Sequence, residues 1–433
     1  GKRDIVVGLD IGSSKVCALI CEQHDDSSLD VVGMGVSPSA GLRRGVIVDI
    51  DSAAAAISDA AARAENMSGC ALVSAVASVS GAHATTTYSK GFVAVGRPDR
   101  EIGQDDVERV LDASRVVAIP PDREVIHVLP REFVIDGCRG IRRPVGMSGI
   151  RLEVETCIIT GSATSIQNVR RAASRVGLEI DQLVLQPIAA AEAVLTESEK
   201  DLGVLMIDIG GATTDIACYI DGTLQHTAVI PVGGGHITND IALVLRLPVG
   251  YAEELKIKYG AARADMVNPD EMCGKDNGVS RHKLCQIIEA RVYEIMEMVK
   301  AEADGHGLAG QLPAGIVVTG GAALMRGAPE VAQDVLKLPS RLGVPTGVSG
   351  MTDVVASPAY ATALGLVKYA RSSSGAASGS AVKRRSGGFA ANVAMRTEAN
   401  PFYGDGFKTT NMPSAMGEGI TMAKNIGAQV VNM

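Results

Sequence analysis

Two stretches of this sequence carry the residue types needed to grip a polyphosphate. Asp10-Ile11-Gly12-Ser13-Ser14-Lys15 and Asp208-Ile209-Gly210-Gly211-Ala212-Thr213-Thr214-Asp215 each place an acid, glycine and hydroxyls between two apolar runs. In a tight turn of that kind, backbone N–H groups and hydroxyls converge on anionic oxygens without side-chain obstruction. Two such turns facing each other would clamp the β- and γ-phosphates of a nucleotide. Asp10 and Asp208 stand where a strand is expected to end, placed to orient Mg²⁺ or its waters, because Mg²⁺ takes a few carboxylates and retains waters. Lys15 would add a point charge. One Asp-x-Gly alone reads as an ordinary hairpin turn; finding it twice reverses that preference.

Three further groups could complete a nucleotide site. Thr319-Gly320-Gly321-Ala322-Ala323 follows an apolar strand, and its glycines would let an adenine or ribose lie against bare backbone. Glu253 and Lys256 stand three apart on an expected helix and share a face, where they would hold ribose hydroxyls and the base; a solvated ion pair uses the same spacing. Gln186, just before Pro187, is a polar group placed to order a water near the γ-phosphate, or simply to cap a helix.

The elements that must position these groups follow from periodicity. Asp4 to Leu9 and Val16 to Cys21 flank the first motif as strands, and Leu202 to Ile207 and Ile216 to Ile220 flank the second. The repeated unit of strand, D-x-G turn and strand predicts two related lobes offering their turns to a shared cleft. Ile50 to Ala64 is Ala-rich and helical. Gly81 to Gly161 has another texture, with short strands, turns and one helix over Gln104 to Arg115, and is expected to be an inserted subdomain. Thr164 to Val176, Pro187 to Val194, Gly235 to Leu245, Val249 to Tyr259 and Arg281 to Ala303 are predicted helices. The last of these carries Leu284, Ile287, Ile288, Val292, Ile295 and Met296 on one face. A strand over Ile316 to Thr319 and a final helix over Ala359 to Val367 complete the expected core.

Composition narrows the function classes. At 433 residues the chain exceeds one ordinary core. Apolar residues make up 46% and aromatics only 3%, so Val, Ile, Leu, Ala and Met must fill the interior of mixed α/β layers. The net charge of -8 argues against general nucleic-acid binding. From Arg371 to Met433 the sign inverts, with seven Lys and Arg against three Asp and Glu. The eight cysteines include no C-x-x-C pair and read as reduced thiols in the cytosol. No apolar run reaches the roughly 18 residues of a spanning helix, and no signal-peptide core precedes the first charged loop.

Taken in order, Asp10 to Lys15, Gln186-Pro187, Asp208 to Asp215, Ala252-Glu253 to Lys256 and Gly320-Gly321 resemble the phosphate-1, connect-1, phosphate-2, adenosine-side helix and adenosine motifs of the actin, Hsp70 and sugar-kinase superfamily. Within it, Gly45 to Ile50, Val128-Leu129-Pro130, Pro144 to Met147 with Gly149, and Pro231 to Gly234 are similar to the FtsA family of bacterial cell-division proteins, over about Asp4 to Tyr369.

The resemblance implies an actin-like α/β fold of two ribonuclease-H-like subdomains. The first-lobe core would take 1–80 and 162–200, and the inserted subdomain 81–161. The second-lobe core would take 201–235 and 313–355, the helical subdomain 236–312, a return helix 356–371 and a flexible tail 372–433. ATP with Mg²⁺ would lie between the lobes against Asp10, Gly12, Ser13, Ser14, Lys15, Asp208, Gly210, Gly211, Thr213, Thr214, Gly234, Glu253, Lys256, Gly320 and Gly321. Gln186 would position water, for at most slow hydrolysis.

It also implies partners: self-association into filaments, the C-terminal tail of FtsZ on the helical subdomain with Arg291 as anchor, and other division proteins on the inserted subdomain. The place implied is the cytoplasmic face of the inner membrane at midcell, reached through a C-terminal amphipathic helix. The candidate helix, Glu418 to Met433, holds Met422, Ile426, Val430 and Met433 on one side but has no aromatic and Lys424 as its one base, a poorer interfacial helix than the family's. Lys383-Arg384-Arg385 would add attraction to an anionic surface. A pilus-assembly scaffold of the PilM kind and a small-molecule kinase are alternatives that share the same clamp.

Overall fold

Apolar, β-branched runs broken by short polar turns give the first lobe its sheet. The computed structural model describes residues 4–24, 28–97, 99–115, 119–275 and 278–376, so Lys383-Arg384-Arg385 and Glu418 to Met433 lie outside the described residues. Strands β1 (Asp4–Ile11), β2 (Lys15–Gln23) and β3 (Leu29–Pro38) form an antiparallel meander. Asp10 pairs with Cys17 and Ile11 with Val16, so the turn at Gly12 to Ser14 closes the end of the sheet. A small hairpin of β4 (Leu42–Arg43) and β5 (Val46–Ile47) leads into α1 (Ile50–Ser68). Asp49 caps α1 by accepting from the amides of Asp51 and Ser52, and Gly69 ends it in a left-handed conformation. Its buried alanines, Ala53, Ala56, Ala60 and Ala64, are small enough to seat the helix against β2 and β3.

β6 (Ser74–Val79) joins β1 in parallel, and the inserted subdomain follows. It contains β7 (Thr85–Ala94), α2 (Gln104–Ser114), β8 (Arg123–Ile135), β9 (Cys138–Ile141) and β10 (Arg151–Ser162), in sheet order β7-β10-β8-β9. Val107 and Val110 of α2 pack with Phe133, Leu152 and Val154 in a core of its own. α3 (Ala163–Arg175) and β11 (Glu179–Leu185) return the chain to the first sheet, where β11 pairs in parallel with β6.

After α4 (Gln186–Val194) and α5 (Glu197–Leu202) the pattern repeats. β12 (Val204–Ile209), β13 (Thr214–Ile220) and β14 (Thr223–Ile230) form a second antiparallel meander. α6 (Gly234–Leu245), α7 (Val249–Tyr259), the short pair β15 (Met272–Cys273) and β16 (Val279–Ser280), and the long α8 (Arg281–Gly305) make the helical region. β17 (Gly315–Thr319) then pairs in parallel with β12, and after α9 (Ala328–Leu336), β18 (Ser340–Leu342) pairs in parallel with β17. The order β14-β13-β12-β17-β18 therefore matches β3-β2-β1-β6-β11 in sequence and direction. The repeated turn is the visible part of a repeated sheet.

β19 (Ser349–Gly350) completes the edge of the first sheet, and α10 (Thr352–Val355) precedes the closing helix α11 (Ala361–Ala376). α4 and α11 are packed against one another between the sheets. Ile188, Ala189, Ala190 and Ala193 of α4 and Leu364, Leu366 and Val367 of α11 share one buried cluster with Leu19 of the first sheet and Met206 and Val317 of the second.

Several boundaries differ from expectation for local reasons. The strand expected from Leu202 starts at Val204, because Glu197–Leu202 is a helix. Thr196 and Glu199 cap that helix reciprocally, and Gly203 stops it at φ 106°. The final helix begins at Ala361, after a tight turn over Pro358–Tyr360. In the inserted subdomain, where short strands were expected, β8 runs for 13 residues because it pairs along its length with β10.

Candidate functional site

The two D-x-G turns are built alike. The Gly12 amide donates to the Lys15 carbonyl at 3.0 Å, and the Gly210 amide donates to the Thr213 carbonyl at 2.9 Å, each closing a hairpin end. The turns also face each other across the lobes. A methyl group added at Gly211 would lie 2.9 Å from Ser14 Cβ and 3.1 Å from Ser14 Oγ. The Ser13 hydroxyl accepts from the Gly45 amide at 3.0 Å, which holds the first turn against the loop before β5.

Three carboxylates lie beneath the turns. Asp10, Asp208 and Asp215 are all buried. Asp10 Oδ1 accepts from the Ser78 hydroxyl at 2.9 Å and from Gln186 Nε2 at 3.0 Å, and Asp208 Oδ2 accepts from the Thr362 hydroxyl at 3.3 Å. Asp215 Oδ2 accepts from Ser80 of the first lobe at 3.4 Å, while its Oδ1 is buried with no partner among the described residues. Burial raises the pKa of Asp10, with Lys15 opposing. Burial, then the charge of Asp10, pushes Asp208 up to about 6, and burial with the charge of Asp208 pushes Asp215 well above the usual carboxylate range. Three hard oxygen donors, one of them orphaned, fit a divalent cation such as Mg²⁺. Such an ion would offset the burial that lifts all three carboxyls and the neighbouring charge that adds to it at Asp208 and Asp215.

The remaining residues flank this centre. The Lys15 ammonium donates to the Ala359 carbonyl at 2.6 Å and sits 4.9 Å over the Tyr360 ring, in the turn that precedes α11. The Gly234 amide donates to the Gly210 carbonyl at 2.9 Å, which sets the start of α6 directly behind the second turn. Lys256 Nζ donates to the Gly234 carbonyl at 3.0 Å and to the Thr238 hydroxyl at 2.8 Å, and it pairs with Glu253 at 2.7 Å. A side chain at Gly320 would meet Asp208 Oδ1 at 2.3 Å, so the start of the Gly320-Gly321 turn touches the carboxylate cluster.

Two candidates make other contacts. The Thr214 hydroxyl is fully buried and donates to the Val232 carbonyl at 2.8 Å. Arg291, on α8, stands apart in the helical region and forks onto Asp240, with Nε to Oδ2 at 2.6 Å and Nη2 to Oδ1 at 2.9 Å, while Glu294 takes its third nitrogen. Sequence reasoning missed Ser78, Ser80 and Thr362, and it gave Asp215, the last residue of its second motif, no role of its own. A signal existed for the first two, since Ser78 and Ser80 interrupt the apolar run at the end of β6.

Residues 205–365 match the family model described as cell division protein FtsA, and residues 81–160 match the SHS2 domain inserted in FtsA. The chain is 45% identical over 372 residues to the cell division protein FtsA of Pseudomonas aeruginosa, spanning 84% of this chain and 89% of that one. The FtsA of Bacillus subtilis is 40% identical over 375 residues, spanning 85% and 84%. That of Escherichia coli is 36% identical over 385 residues, spanning 86% and 91%. Among solved structures, the PilM-PilN type IV pilus biogenesis complex aligns with a TM-score of 0.62 at 17% identity over 84% of this chain and 97% of its own. MreB5 of Spiroplasma citri bound to ADP aligns at 0.51 and 16% identity over 87% and 99%. At such identities the likeness is one of fold, the two-lobed actin-like architecture.

Proposed function

Because the chain belongs to the FtsA family of cell division proteins, we propose that it binds ATP with Mg²⁺ between its lobes, polymerises, and tethers FtsZ to the cytoplasmic face of the inner membrane at the division septum. The observation that carries the nucleotide part is the approach of Ser14 to Gly211, which brings two anion-cradling turns together over three buried carboxylates.

In this reading Gly12 to Lys15 and Gly210 to Thr213 hold the β- and γ-phosphates from opposite sides, with backbone amides and hydroxyls as donors. Mg²⁺ would supply the charge that neutralises Asp10 and Asp208, directly or through water. Lys15 would exchange the Ala359 carbonyl for a phosphate oxygen. Gly234, Glu253, Lys256, Gly320 and Gly321 would line the nucleoside side. Gln186 Nε2 is held by Asp10 and by Ser78 at 3.3 Å, so its Oε1 is the atom left to orient a water. Hydrolysis by that single group would be slow at most.

FtsZ's C-terminal tail would dock on the helical subdomain. An acidic residue approaching Arg291 would have to exchange with Asp240, because the guanidinium is already forked. The inserted subdomain would meet neighbouring protomers and other division proteins, and the tail from 372 onward would meet anionic lipid. ATP-dependent co-sedimentation with anionic liposomes and an FtsZ tail peptide tests the assembly. Full-length protein should pellet with both, and a form ending at residue 371 should keep the peptide but lose the liposomes. Folded full-length protein that pellets with neither would refute the scaffold role.

A further inference from the structure

Away from the cleft, His226, Glu302 and His306 meet where the edge strand of the second sheet touches the end of α8. His226 lies on β14 and is 6% exposed, and its Nε2 is 2.9 Å from Glu302 Oε1. Glu302 and His306 stand four residues apart at the end of α8, a spacing that puts both side chains on one side. His306 Nδ1 donates to the Glu302 backbone carbonyl at 2.9 Å and lies 3.4 Å from the same Oε1, and one ligand atom from each residue lies within 4.8 Å of the other two. A tetrahedral zinc ion with imidazole nitrogens at about 2.0–2.1 Å and a carboxylate oxygen at about 2.0–2.2 Å separates its ligand atoms by roughly 3.4 Å. The cluster is already close to the scale of one ion.

A core histidine held for structure uses both ring nitrogens, as His127 does: its Nε2 accepts from the Leu185 amide at 3.0 Å and its Nδ1 meets the Tyr369 hydroxyl at 3.3 Å. His226 is different. Its Nε2 faces Glu302, and its other nitrogen, Nδ1, is buried with no hydrogen-bond partner among the described residues, so nothing but the cluster holds the ring by its nitrogens. The rings of His226 and His306 stack, with centroids 3.7 Å apart and 23° between planes. Closing on an ion requires the exposed His306 to turn its ring out of that stack and to offer Nε2, or to release the Glu302 carbonyl from Nδ1, while His226 and Glu302 stay in place.

We propose that His226, Glu302 and His306 bind one divalent transition-metal ion of the zinc class, with water in a fourth position, fastening the end of α8 to β14. Two imidazoles and a carboxylate are a zinc ligand set rather than a Mg²⁺ or Ca²⁺ one. The site would also stiffen a seam. On either side of His226, the Gln225 carbonyl accepts from the Tyr88 hydroxyl at 2.8 Å and the Thr227 carbonyl from the Thr86 hydroxyl at 3.4 Å, so the inserted subdomain rests on this strand.

The test is a zinc titration of tag-free full-length protein against a chromogenic chelator, with excess Mg²⁺ present to occupy oxygen sites, beside His306→Ala and Glu302→Gln. His306 is exposed, so His306→Ala should keep its fold by circular dichroism. The wild type should take up one equivalent that both variants lose or bind at least about tenfold more weakly. Cobalt at the same stoichiometry should give the visible absorption of a four-coordinate site in the wild type alone. A wild type that takes up no zinc, or a folded His306→Ala protein that retains the equivalent, would overturn the assignment.

Discussion

Asp208 concentrates the electrostatics of the cleft. Its carboxyl is buried beside Asp10, and its pKa is pushed up to about 6 from an ordinary value of 3.8. Between those two values the folded protein binds more protons than the unfolded chain, so the stability linked to Asp208 is fully present below about pH 3.8 and is lost as pH rises through 6. Without metal, Asp208→Asn is therefore expected to raise stability at pH 7.5 by up to about 3 kcal/mol, because it removes a buried charge. The same change should weaken Mg²⁺-ATP binding by at least about tenfold. Urea unfolding in EDTA from pH 4 to 8, with a titration of a fluorescent ATP analogue, measures both. Asp208→Asn protein that is less stable at pH 7.5 and binds Mg²⁺-ATP unchanged would contradict the role given to this carboxylate. The turns around Asp208 were legible in the sequence because a D-x-G between two apolar runs is local. The hydroxyl of Thr362 on Asp208 was not, since 154 residues separate the pair.

Helix α4 shows how an element transmits position to the site. Its first residue, Gln186, is bonded to Asp10, and its alanines are buried between the two sheets. α11 crosses it so closely that a Cβ on Gly365 would stand 1.6 Å from the Ala189 carbonyl oxygen. Gly365→Ala should force the helices apart and destabilise the protein by about 3 kcal/mol, the upper end for overpacking. A thermal midpoint within a degree of the wild type would show that the crossing relaxes freely. Legibility at this scale followed length and pattern. The long amphipathic α8 and the texture of the inserted subdomain were readable, whereas the six-residue α5 went unmarked and only its last residue, Leu202, fell in an expected strand. β3 went unmarked because its glycines at 33 and 35 dilute the apolar signal, although Val31 and Met34 are buried.

At the scale of the whole molecule, two sheets of the same strand order each supply one turn, and α4 with α11 forms the layer that joins them. A nucleotide held by both turns would bind only the arrangement in which the lobes face each other, which is how a small ligand comes to control a large assembly. The actin-like fold could be anticipated from the ordered motifs alone, because the duplicated turn reports a duplicated sheet. The carboxylate cluster with Asp215 and the cross-lobe bond from Ser80 could not, since they exist only once the lobes meet. The most direct measurement is electron density for Mg²⁺ with a slowly hydrolysed ATP analogue bound to the full-length protein. The β- and γ-phosphates should lie between Gly12 to Lys15 and Gly210 to Thr213, with the metal toward Asp10 and Asp208. Density for the triphosphate on one lobe only, or away from both turns, would contradict the account.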